Sequence, residues 1–102
     1  MSNLQKQIQY WKDSSRRDWK TAEALFFKAK RYDACLFFCH LSLEKILKWL
    51  VVIKIKKSAP YTHDLAKLAN LAGLKLTKDQ LDNLKIINSF NISGRYDDAK
   101  LM

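Results

Sequence analysis

The chain has 102 residues, 48% of them hydrophobic and 28% charged. That mixture excludes a disordered chain and fits one domain, residues 1–102, with one modest core. Two Gly and one Pro are too few for the many turns of a β-sandwich or a doubly wound sheet, so a few long helices are expected. Lys and Arg total 19 against 10 Asp and Glu, a formal charge of +9. The excess is uneven: residues 1–57 carry 13 basic and 5 acidic side chains, and residues 58–102 carry 6 and 5. Such a skew fits either an acidic partner (RNA, DNA, a nucleotide or an acidic protein) or a solvated basic surface.

Apolar or small residues recur from Leu4 to Lys30 at spacings of three and four, among them Ile8, Trp11, Ser15, Trp19, Ala22 and Phe26. That period predicts one amphipathic helix about 40 Å long. A break at Lys30-Arg31-Tyr32-Asp33 follows, with Asp33 expected to cap the next helix. The second helix, about Ala34 to Lys56, is apolar nearly all round and is expected to be the buried spine. Ser58 to Tyr61 reads as a loop in which Pro60 cannot continue the helix, and Thr62 or Asp64 starts a short third helix that Gly73 terminates in a left-handed cap. Thr77 and Gln80 have capping-box spacing, which opens a fourth helix to about Phe90. Asn91, Ser93 and Gly94 read as a turn. The expected fold class is all-α: an up-and-down bundle of four helices, two long and two short.

Cys35 and Cys39 are four apart on one helix face, a geometry that suits two buried thiols rather than a disulfide or a zinc site. No metal and no cofactor is expected. The most apolar stretch, Ala34 to Ile55, contains His40, Glu44, Lys45, Lys48 and Lys54, which would be costly in a bilayer. With no apolar leader in Met1 to Tyr10, a cytoplasmic protein without a membrane partner is expected.

Several groups could carry chemistry. His40 and Glu44 share a helix face, as an acid/base pair or as a satisfied polar pair. A charged Glu44 inside an apolar helix demands a partner, either Lys48 or Arg95. Thr62-His63-Asp64-Leu65 lies at a helix start, either a plain capped turn or an anion contact. Arg95 beside Tyr96 could clamp a phosphate and stack on a base, or could bind carboxylates such as Glu44 or Asp97.

Four runs together resemble the HEPN domain family, the nucleotide-binding domain of higher eukaryotes and prokaryotes. They are Lys30 to Ala34, Cys39 to Lys48 with its Glu44-Lys45-x-x-Lys48 core, Thr62 to Leu65, and Gly94-Arg95-Tyr96. They occur in the family's order over nearly the whole chain. The resemblance implies a helical bundle that dimerises and associates with nucleotide or RNA, often beside a minimal nucleotidyltransferase in a toxin–antitoxin pair. The candidate nucleotide- or RNA-binding set is Arg95, Tyr96, His63, Lys45 and Glu44. Many members are metal-independent ribonucleases in which an Arg is followed after four to six residues by a His. Arg95 matches the Arg, but Lys100, Leu101 and Met102 stand where the His would be, and the domain is expected to lack the family's last helix. The expectation is therefore a binding domain. A ribonuclease follows only if such a His is restored, and a non-catalytic dimerisation or interaction module is the further alternative.

Overall fold

A computed structural model describes the backbone of residues 1–101 and the side chains of residues 1–90. Helix α1 runs Asn3–Phe27. It opens on a capping box that sequence reading missed: Ser2 Oγ accepts from the Gln5 N–H at 3.1 Å, and Gln5 Oε1 accepts from the Ser2 N–H at 2.9 Å. Lys30 takes a left-handed φ of 58° and reverses the chain. Helix α2 then runs Tyr32–Ile55. Its N-cap is Arg31 with no side-chain cap, so Asp33 does not cap. Asp33 sits instead inside the first turn, where a carboxylate favours the helix dipole, 3.8 Å from Arg31.

Helix α2 ends on Lys56 in the left-handed region, whose N–H donates to the Val52 carbonyl at 2.9 Å. The expected short third helix is α3, Leu65–Leu71, capped by Asp64 rather than Thr62. Gly73 follows at φ 75°, as expected. The Thr77–Gln80 capping box is present in both directions, at 3.0 and 3.1 Å. It opens α4, Lys78–Leu101. The expected turn at Asn91 to Gly94 is therefore not made, and the fourth helix is long, not short. No proline interrupts it, and a Gly weakens a helix by about 1 kcal/mol without breaking its hydrogen-bond ladder.

The bundle is all-α, with α2 touching α1, α3 and α4. Leu47 and Val51 of α2 form the centre of the core with Leu65, Leu68 and Ala69 of α3. Leu84 and Ile87 of α4 pack on that cluster. Helices α1 and α2 are antiparallel and meet closely at two serines. Ser15 Oγ donates to the Ser42 carbonyl at 2.9 Å, and Ser42 Oγ donates back to the Ser15 carbonyl at 3.0 Å. Small side chains let the backbones approach, and the reciprocal bonds satisfy hydroxyls that would otherwise be orphaned inside the core. The expected spine is thus found, but it is not covered all round: Leu36, Ile46 and Ile53 of α2 are exposed. Among the described residues no helix is long and apolar enough to cross a membrane.

Candidate functional site

The site grows from the mid-helix charge of α2. Glu44 is buried, and each of its two carboxylate oxygens meets a donor. The Lys48 Nζ donates to Glu44 Oε2 at 3.0 Å, one turn along the same helix. The other oxygen, Oε1, lies 2.9 Å from His63 Nδ1. A carboxylate only accepts, so His63 donates there through Nδ1–H. Lys48 is buried too, and its Nζ stands 5.1 Å from the centre of the Trp11 ring, adding a cation–π contact from α1. Of the two partners expected for Glu44, Lys48 is in place. Arg95 and Tyr96 lie outside the described side chains.

His63 reaches Glu44 because the Thr62-His63-Asp64-Leu65 turn is pinned from three sides. Thr62 Oγ1 accepts from the Asp64 N–H at 3.2 Å, and Asp64 Oδ1 accepts from the Ala66 N–H at 3.1 Å. Asn88 of α4 holds the same turn with both ends of its amide. Its Oδ1 accepts from the Leu65 N–H at 2.9 Å, and its Nδ2 donates to Asp64 Oδ1 at 3.1 Å. Sequence reasoning missed Asn88. The only available signal was a polar residue one position after the apolar Ile87, which does not distinguish a solvated Asn from a bridging one. Tyr61 stands beside this turn, 97% exposed, with its ring centroid 6.0 Å from that of His63.

His40 lies underneath, fully buried at 0% exposure. Its Nε2 is 3.2 Å from the His63 carbonyl oxygen and donates to it. Its Nδ1 is 3.8 Å from Glu44 Oε1 and has no hydrogen-bond partner. Burial pushes the imidazole below its usual pKa, against the pull of the Glu44 carboxylate and the His63 carbonyl. His40 is therefore a neutral prop for the turn. The sequence alternative of a satisfied polar pair is half met, since His40 bonds His63 and not Glu44.

Lys45 turns away from this cluster. Its Nζ lies 2.6 Å from Asp18 Oδ2 and 2.7 Å from Ser14 Oγ, which ties α2 to α1. The structure thus brings Glu44 and His63 together and sets Lys45 on the adjacent face. Both cysteines are free, and burial, followed by Cys35 as neighbour, pushes the Cys39 thiol up to about 11, which makes it inert at neutral pH. Among the described residues no three His, Cys, Asp or Glu side chains gather to hold a metal.

These features define a class: a helical bundle whose central helix carries a buried carboxylate, read by a lysine on its own helix and a histidine on the turn before the next. The chain belongs to the HEPN domain family, whose model matches residues 8–101. No curated protein matches the chain, and no solved structure does. The membership carries a general nucleotide- or RNA-related role of the HEPN kind.

Proposed function

We propose that this chain is a nucleotide- or RNA-binding HEPN domain that acts as a homodimer and binds without cleaving. The observation that carries the reading is the Glu44–His63 contact at 2.9 Å, which orients a half-buried imidazole on a turn braced by Asn88. Beside it stands the exposed ring of Tyr61. Arg95 supplies the main anion contact in this reading. Residue 95 falls seven positions after Asn88 in α4, two turns along the same helix. A guanidinium suits phosphate because its planar fork matches two oxygens.

Fluorescence anisotropy with a labelled 12-nucleotide RNA and with a fluorescent ATP analogue tests the reading. Binding should weaken steeply between 50 and 200 mM salt, about as phosphate contacts dictate. Arg95→Ala and His63→Ala should each weaken it. Absence of binding by the unaltered protein at low salt would reject the proposal.

The dimer rests on a second observation. Cys39, Leu43, Ile46, Leu50 and Ile53 repeat at four, three, four and three along α2, the spacing of a helix-pairing seam. Leu43 and Ile46 line an apolar groove of about 510 Å³ between α1 and α2, with Ile87 of α4 at its side. A second copy meeting this seam about a two-fold axis would cover it. The same seam offers a seat to a protein partner of the minimal nucleotidyltransferase kind, as in a toxin–antitoxin pair. Sedimentation of the protein alone separates the two: a dimer that Ile46→Glu turns into a monomer supports self-pairing, and a monomer throughout rejects it.

A further inference from the structure

The corner where α1 hands over to α2 carries an unusual surface. Phe26, Phe27 and Tyr32 are 47, 66 and 52% exposed. They form one cluster, with ring centroids 4.9 Å apart for Phe26–Phe27 and 5.4 Å for Phe26–Tyr32. The left-handed Lys30 folds the chain back and brings Tyr32 onto Phe26. Large exposed rings in mutual contact mark an interaction surface rather than a solvated face.

Cations are threaded through these rings. Lys28, Lys30 and Arg31 are exposed between Phe27 and Tyr32 in the chain. Arg16 and Lys20 are one turn apart on α1, and Lys28 caps its C-terminal end at the corner. Of the three acids of α1, Asp18 holds Lys45 and Asp13 accepts from Gln9 at 2.9 and 3.0 Å, while Glu23 is exposed beside Arg16 and Lys20. Among the described residues Arg16, Lys20 and Lys28 have no ion pair. With Glu23 counted against Arg16, Lys20 and Lys28, the strip keeps a net charge of +2.

We infer that the α1 strip and the Phe26–Phe27–Tyr32 corner form a second nucleic-acid contact that takes single-stranded RNA, with phosphates on Arg16, Lys20 and Lys28 and unpaired bases on Phe27 and Tyr32. This rests on the RNA-binding reading above but concerns a surface away from His63; it runs from the rim of the dimer groove, which Arg16 and Lys20 also line, to the corner. A basic track ending on exposed rings is the combination that single strands use, because stacking needs unpaired bases and any base supplies a π-face. Rings dominate the corner, with Leu36 as its neighbouring aliphatic. A bilayer would accept aliphatic side chains as readily, so a ring-dominated surface favours stacking over lipid insertion.

The test is anisotropy with a labelled oligouridine 12-mer and with an RNA duplex of the same length. The single strand should bind more tightly than the duplex. A Phe27→Ala change should weaken the single strand by roughly five- to a hundredfold, and Phe27→Trp should restore it. An Arg16→Gln/Lys20→Gln pair should lower the salt slope by about 1.4. Thermal unfolding of each variant, with midpoints close to the unaltered protein, shows that the fold is kept. Equal binding of the unaltered protein and Phe27→Ala overturns the inference, while loss confined to Arg95→Ala leaves the earlier reading standing. No RNA binding by the unaltered protein takes both down. Binding to vesicles of anionic phospholipid without oligouridine binding overturns it in favour of a membrane surface. A change from dimer to monomer on Phe27→Ala overturns it in favour of a protein contact.

Discussion

The buried carboxylate of Glu44 holds His63 at 2.9 Å, across the junction between the middle of α2 and the turn that precedes α3. One carboxylate thereby neutralises the buried Lys48 and orients a histidine. Removing it leaves a lysine inside the bundle with no counter-charge. Glu44→Ala should destabilise the fold by ~3–5 kcal/mol, read as a lower urea midpoint. Adding Lys48→Met should recover part of that loss, since the stranded charge is then gone. A loss below about 1 kcal/mol in the single variant would mean that water reaches Lys48.

Burial keeps the His40 imidazole neutral in the fold, below its ordinary value of 6.5. The unfolded chain binds a proton there that the native state refuses. Stability therefore rises with pH through this window. It is fully present above about 6.5 and is lost as pH falls from there toward the lower native value, by up to about 1.4 kcal/mol per pH unit. His40→Gln, whose amide can still donate to the His63 carbonyl, should flatten the slope of unfolding free energy between pH 7.5 and 5.5. An unchanged slope would assign the proton uptake to another group.

Asn88 braces the His63 turn with two hydrogen bonds, a part-buried one from the Leu65 N–H, where water substitutes poorly, and an exposed one to Asp64. Asn88→Ala should cost about 1–2 kcal/mol. It should also shift the ring resonances of His63 in an NMR spectrum, since the turn that carries this ring loses a brace. A spectrum with His63 unmoved would mean that Thr62 and Asp64 suffice to hold the turn.

Gly73 sits at φ 75°, and a Cβ there would stand 3.3 Å from Cε of Lys54. The side-chain end can move, but the backbone conformation remains unfavourable to an L residue. Gly73→Ala should lower stability by about 1 kcal/mol, measured by thermal unfolding. A neutral result would show that the α3–α4 connection relaxes to a negative φ.

Much of the architecture was legible because it follows local rules. The apolar run of α2 announced the spine, Thr77 and Gln80 announced the start of α4, and Gly73 announced the end of α3. Local rules also misled. Asp33 has the chemistry of a cap but lies one residue inside α2, and the polar run from Asn91 to Gly94 looks like a turn yet continues α4. Competition between a local preference and the helix already propagating through it is not visible in a short window of sequence.

The amino-acid order by itself settled the all-α class, the central place of residues 34–55 and the need of Glu44 for a partner, since periodicity and the cost of a buried charge act along one helix. Which partners Glu44 takes was decided only in three dimensions. Lys48 is a neighbour by helical spacing, but His63 arrives from 19 residues away because Asn88, on a third helix, pins its turn. Lys45, adjacent in sequence, faces Asp18 instead, because a one-residue step turns a helical side chain about 100° from its neighbour.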